Sequence, residues 1–278
     1  MFAVNPMYDE VEGDKCYKDL ASLPKLPDVV NMVVSPKRAT PILEQAKKLG
    51  IKYIWFQPGT HDEKTQEISN LLSDLFQMPC NTLPNYLNVT FTPSNQILHT
   101  TRIYNLFNDY YEGKTYNRQS YFYKEWNDAS SKILLACDKE LHSICESLKE
   151  FDLTGVKSLL IHYEVNNYRE MTYKLSHIPA FQISLTPMIK VGDDEYIPDK
   201  NNRYFTNDFP YGLCIIKGFA DILKVKTPNI DKVLKWYEKF ADVEYFVNEE
   251  YKGKDLINTG IPQNYGILTK KDIIEFYS

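Results

Sequence analysis

The hydrophobic positions change period partway along the chain. In the first third, short apolar runs alternate with stretches of helical spacing. Phe2 to Asn5 is an apolar run stopped by Pro6, whose ring removes a backbone donor, and it predicts a short strand. Val29 to Val34 predicts a second strand, closed by Ser35-Pro36, an N-cap with proline in the first helical turn. Ala39, Ile42, Leu43, Ala46 and Leu49 then recur at helical spacing as far as Gly50. Ile51 to Gln57 predicts a third strand, ended by Pro58-Gly59, and Glu63 to Phe76 a second amphipathic helix. Alternating strands and helices with short loops predict a mostly parallel sheet with right-handed crossovers, an α/β arrangement.

From about His99 the helical period takes over. Ile103, Leu106, Phe107 and Tyr110 are spaced for one face, and Tyr121 to Leu148 predicts a long helix with Trp126, Ile133, Leu134, Cys137, Leu141, Ile144 and Leu148 on one side. Tyr168 to Leu175, Tyr211 to Leu223 and Ile230 to Phe240 predict further helices, the last announced by Thr227-Pro228. Val191 to Asn202, rich in Asp, Gly, Pro and Asn, reads as a loop. The shift in period divides the chain into two regions.

Composition changes this picture little: 43% hydrophobic and 25% charged residues are ordinary for a globular chain of 278 residues. A formal net charge of −5 argues against a nucleic-acid surface. The five cysteines lack Cys-x-x-Cys spacing, which predicts reduced thiols and a cytoplasmic protein. No apolar run approaches the roughly 18 residues of a membrane span, and no charged-then-apolar leader is expected.

Chemistry concentrates in Arg203 to Gly212, which reads as a tight, partly apolar turn. An arginine fork can take a carboxylate through two parallel hydrogen bonds, and an aspartate can orient a histidine, so Arg203 and Asp208 are candidate site residues. The bland alternative is a structural bridge between the two. A proton carrier would have to come from the five histidines. His61, beside Asp62 and Glu63, reads as solvated capping chemistry; His162 and His177 read as structural. His142 and Glu146 share a helical face, but two ligands do not make a metal site, and no metal is assigned.

Val4-Asn5-Pro6, Glu10 to Gly13, Val29 to Pro36, Ile54-Trp55 and Gln57-Pro58-Gly59 together resemble the small Rossmann-like CoA-binding family. The family's first strand and glycine loop would lie upstream of Met1. No Gly-x-Gly-x-x-Gly occurs in the chain, so the pyrophosphate cradle expected of a dinucleotide site is missing and no cofactor-binding residue is named. Three expectations stay open: a start that is truncated, a partner or second copy that completes the sheet, or a lost nucleotide site.

From about Tyr86 to Asn258 the chain resembles the octopine and nopaline dehydrogenases, the opine dehydrogenases, in their helical C-terminal domain, whose fold is like that of the 6-phosphogluconate dehydrogenase C-terminal domain; the resemblance implies a division into residues 1–85 and 86–278. The resemblance is carried by Asn95-Gln96-Ile97-Leu98-His99, Tyr110-Tyr111-Glu112-Gly113, Arg203 to Gly212 and Thr227-Pro228-Asn229-Ile230-Asp231. Thr100 stands where the family usually has proline, a conservative change at a helix start. The resemblance implies NAD(P)H-dependent condensation of an amino acid with an α-keto acid. It makes His99 the general acid and base, Asp208 its orienter, Arg203 the carboxylate grip and Asn95 a further substrate contact. A second reading keeps the architecture without the catalysis: a CoA- or nucleotide-binding module, or a relict dehydrogenase, whose helical domain takes a small acid or a protein.

Overall fold

The computed structural model describes residues 2–6, 9–11, 14–27, 29–32, 36–51, 53–56, 64–77, 80 and 83–277. The chain divides into two compact units, Met1–Tyr86 and Leu87–Ser278.

In the first unit, strands β1 (Ala3–Val4), β2 (Glu10–Val11) and β3 (Asp14–Tyr17) form one sheet in the order β1-β3-β2, while β4 (Val29–Met32) pairs with β5 (Tyr53–Phe56) in another. The expected parallel pairing holds for β1 with β3 and for β4 with β5. The antiparallel turn-back of β2 on β3 is an addition, since two-residue pairing is too short to show as alternation. Helix α1 (Pro36–Lys48) precedes β5, and α2 (Lys64–Phe76) follows it. Gly50 terminates α1 at a φ of 70°, the left-handed conformation in which glycine avoids the Cβ penalty. Leu20, Val30, Leu43, Ala46 and Ile51 make this unit's buried cluster. Ser35, Gln57 to Gly59 and His61 lie outside the described residues.

The second unit is mainly helical. Helix α3 (Leu87–Thr90) leads to a π-helical segment, Asn95–His99, that runs without a break into α4 (Thr100–Phe107). Thr100 is therefore interior to a helical run rather than at a start, and its hydroxyl donates to Gln96 O at 2.7 Å. Tyr110 lies beyond the end of α4, in a turn whose amide returns to Phe107 O. The long helix is shorter than its apolar spacing predicts: α5 spans Asp128–Glu146. Tyr121 instead bridges Leu185, and Phe122 N donates to Ser184 O at 2.8 Å. Asn127 then caps the helix by accepting from Ser130 N, which fixes its start about two turns later than hydrophobicity alone suggests.

Helices α6 (Leu159–His162) and α7 (Tyr168–His177) follow. The stretch read as a loop holds the end of β6 (Met188–Gly192) and all of β7 (Glu195–Pro198), an antiparallel hairpin turning at Asp193-Asp194 where Asp194 has a φ of 54°. Aspartate tolerates that conformation, so turn-rich composition hid two short strands. The Arg203 to Gly212 turn is likewise helical: α8 (Arg203–Thr206), a break at Asn207, then a π-helical segment Phe209–Leu213 continuing into α9 (Cys214–Leu223). Helix α10 (Pro228–Ala241) begins with proline at its first turn, and Glu140 of α5 accepts from its Asn229 and Ile230 amides at 2.8 and 2.9 Å. A carboxylate from a distant helix thus satisfies orphan donors that no local side chain caps. Helix α11 (Lys270–Tyr277) closes the unit. Among the described residues no helix is long and apolar enough to cross a membrane.

Candidate active site

Two π-helical segments build the centre of the helical unit's site. Such widened turns are found often at functional positions because they displace one residue from the regular ladder. Gly212, on the second segment, packs against Gln96 on the first so closely that a Cβ there would stand 2.7 Å from Gln96 Cβ and 3.2 Å from its Cα. The missing side chain lets the segments approach, and their neighbouring residues meet: Nδ1 of His99 lies 2.8 Å from Oδ2 of Asp208, across 109 residues of sequence. Both groups are buried, at 7% exposure each.

An ionised carboxylate only accepts hydrogen bonds, so the proton between the two sits on Nδ1; a neutral ring then offers Nε2 as an acceptor, and a protonated one offers it as a donor. At 2.9 Å from Nε2 lies the hydroxyl of Tyr123. The imidazole faces are covered as well, by Tyr204 at 4.3 Å between ring centroids and by Phe122 edge-on at 5.7 Å. Burial raises the Tyr123 phenol above its ordinary pKa, with Tyr204, Tyr163 and Asp208 adding to the effect, so it remains a protonated donor. Burial also raises the Tyr204 phenol, against the opposing pull of Arg203.

One helical turn after His99, Arg102 is 1% exposed. Burial pushes its guanidinium down to about 10, which still leaves it charged at neutral pH. Its Nε donates to Phe122 O at 2.9 Å, Nη1 to Ser130 Oγ at 2.9 Å and Nη2 to Glu125 O at 2.8 Å. A buried cation satisfied by carbonyls on both sides of Tyr123 holds that turn in place.

Beside the dyad is an open cleft of about 380 Å³ lined by Asn95, Gln96, Asn207, Asp208, Tyr211 and Gly212. The structure thus brings His99 and Asp208 together and puts Asp208 and Asn95 on one cleft. Arg203 is exposed and is not part of that lining; among the described residues its guanidinium makes no ion pair, so Asp208 is the partner of His99 and not the other half of an Arg203 bridge. His142 Nε2 sits 3.7 Å from Asp138 Oδ1, and no group of three or more metal-ligating side chains occurs among the described residues. His162 and His177 are exposed, the latter bonded to Ser176 and to Tyr173 O. All five cysteines are free thiols.

Sequence reasoning missed Tyr123, Tyr204 and Arg102. Tyr123 stands in an aromatic run that spacing assigns to helix packing, and nothing in the chain links it to His99. Arg102 left a detectable signal, a cation three residues from His99 beside the apolar positions Ile103 and Phe107.

The family model of the NAD/NADP octopine/nopaline dehydrogenase alpha-helical domain matches residues 82–241, and a CoA binding domain model matches residues 1–71. Among curated relatives, tauropine dehydrogenase from Arabella iricolor is 28% identical over 222 residues, covering 76% of this chain and 55% of that protein. Opine dehydrogenase from Haliotis discus hannai is 30% identical over 191 residues, covering 65% of this chain and 47% of that protein. A solved octopine dehydrogenase with NADH and pyruvate is similar with a TM-score of 0.63 at 25% identity, covering 74% of this chain and 52% of that one. The chain therefore spans about half the length of the relatives it matches. With His99, Arg203 and Asp208 all inside a match that takes in more than half of its residues, the chain belongs to the octopine/nopaline dehydrogenase family.

Proposed function

We propose that this chain is an opine dehydrogenase-like oxidoreductase, which condenses the amine of an amino acid with an α-keto acid and reduces the imine at the expense of NAD(P)H. The buried hydrogen bond between His99 and Asp208, beside an open cleft and within the family-matched segment, carries the reading. Loss of carbonyl oxygen as water and the release of an amine proton both need a group that gives and takes protons near neutral pH, which an imidazole provides. In this role Asp208 fixes the Nδ1–H tautomer and balances the charge when His99 is protonated. Arg203, exposed and without an ion pair among the described residues, has its fork free for a substrate carboxylate, and Asn95 offers an amide on the cleft wall.

The hydride is what NAD(P)H supplies. Gly50, which ends α1 rather than opening a helix, is the first unit's glycine among the described residues, so those residues do not form a pyrophosphate cradle and none is assigned to the cofactor. The test is consumption of NADH or NADPH in the presence of pyruvate and a panel of amino acids. His99→Ala is expected to lower kcat by about 10²- to 10⁴-fold, the usual contribution of a general acid and base. Turnover retained in that variant would sink the assignment.

The CoA binding domain match on residues 1–71 favours a second reading, a nucleotide- or CoA-sensing module with no turnover of its own. Calorimetric titration separates the two: binding of CoA with no binding of either nicotinamide supports the module.

A further inference from the structure

Both nitrogens of His99 are occupied, and the two occupants differ. Asp208 reaches the cleft and holds Nδ1; Tyr123 is 7% exposed and holds Nε2. For the imidazole to exchange protons with anything else, Nε2 must either be vacated by the phenol or act through it.

The surroundings of Tyr123 decide between these. Its ring is stacked on Phe181 at 4.3 Å and on Trp126 at 6.1 Å, with interplanar angles of 25° and 11°. Its backbone is pinned on both sides: Arg102 binds the carbonyls of Phe122 and Glu125, Phe122 N donates to Ser184 O, and Trp126 N donates to Tyr123 O at 2.8 Å. Swinging the ring away on this pinned backbone would unstack two aromatic contacts. The hydroxyl itself needs no movement to pass a proton on, because a phenol donates one hydrogen and accepts others at the same oxygen.

We infer that Tyr123 is the proton relay of His99. In the acidic direction the Nε2–H bond breaks as a new O–H bond forms on the phenolic oxygen, while the phenol's original proton leaves to the substrate oxygen or to a water. In the basic direction each transfer reverses. The phenol is neutral before and after, no electrons move, and no phenolate accumulates, consistent with a phenol that burial keeps protonated. The relay rests on the reading of His99 as acid and base, and it makes Arg102 a positioning residue that acts through the turn it holds.

Tyr123→Phe keeps both ring stacks and removes only the hydroxyl. Two measurements on the full chain test the relay. In protein labelled with nitrogen-15 histidine, exchange with water of the Nε2 proton that the protonated His99 ring carries, assigned by difference against His99→Ala, is expected to slow on the order of tenfold in Tyr123→Phe, because the hydrogen-bonded outlet of Nε2 found among the described residues is gone. In the condensation assay kcat is expected to fall about 10²-fold with the KM for the keto acid unchanged. Exchange that is unchanged or faster in Tyr123→Phe overturns the relay, and a higher kcat in that variant identifies the phenol as a block on Nε2. The exchange measurement needs no turnover: slowed exchange in a chain that consumes no NAD(P)H keeps the relay and removes the dehydrogenase reading, while unchanged exchange in a chain that turns over does the reverse.

Discussion

The α/β unit and the helical unit bury their apolar residues on different scales. In the first, the described core is Leu20, Val30, Leu43, Ala46 and Ile51, a patch between short strands and two helices. In the second, every helix from α3 to α11 contributes to one cluster, which includes six fully buried phenylalanines. The difference bears on where demanding chemistry can be kept. A buried His99 with both nitrogens bonded, and a buried Arg102 bonded to carbonyls, each cost desolvation that only a surrounding packed well enough to fix their partners can offset. The helical unit has such a surrounding, and there the dyad and its phenol are found.

The largest effects should come from the cores themselves. Phe219→Ala, at a site with no exposure and an edge contact to Phe91 at 5.0 Å, is expected to destabilise the helical unit by about 3–5 kcal/mol. Leu43→Ala should cost the α/β unit about 2–5 kcal/mol while leaving amide exchange protection in the helical unit as it was. If protection in both units falls together, the two cores are one cooperative system and the comparison fails. A smaller effect sharpens the role of close approach. Gly212→Ala must displace Gln96 and is expected to cost about 1–3 kcal/mol by overpacking, measured by chemical denaturation. It should also reduce turnover, because the same displacement separates His99 from Asp208.

The smallest effect is electrostatic. Glu125 is held down from its ordinary 4.5 to about 2, first by its hydrogen bonds from Arg118, with partial burial opposing them, and further by the Tyr121 amide. A depressed carboxylate contributes stability that is present above about pH 4.5 and is lost as pH falls towards 2. Carboxyl NMR of the full chain should place its titration midpoint near 2, and Arg118→Ala should return it towards the ordinary range, with only a slight loss of stability because the pair is largely exposed.

Much of this architecture was legible in the sequence. The alternation of valine-rich runs with amphipathic helices marked the α/β half, and the helices of the second half showed through their apolar spacing. Errors fell where a local signal competed with a distant one. Spacing extended α5 back to Tyr121, but Ser184 and Leu185 draw Tyr121 and Phe122 into a bridge. Asp, Gly and Pro between Val191 and Asn202 looked like a loop, although they are the turn and flanks of a hairpin. Arg203 to Gly212 looked like a turn because proline and glycine punctuate it, yet Pro210 sits at a helix start where its missing donor costs nothing.

The sequence by itself determined the periodicities, hence the two regions and most of their elements, since those depend on residues a few positions apart. Through motif resemblance it also singled out His99, Arg203, Asp208 and Asn95. Only the tertiary structure decided which of those residues meet, and with what. The pairing of His99 with Asp208 spans 109 positions and that with Tyr123 spans 24, and neither leaves a trace in local spacing. Partners so far apart in the chain are chosen by how closely two π-helical segments can pack, and that distance is set by the absent side chain of Gly212.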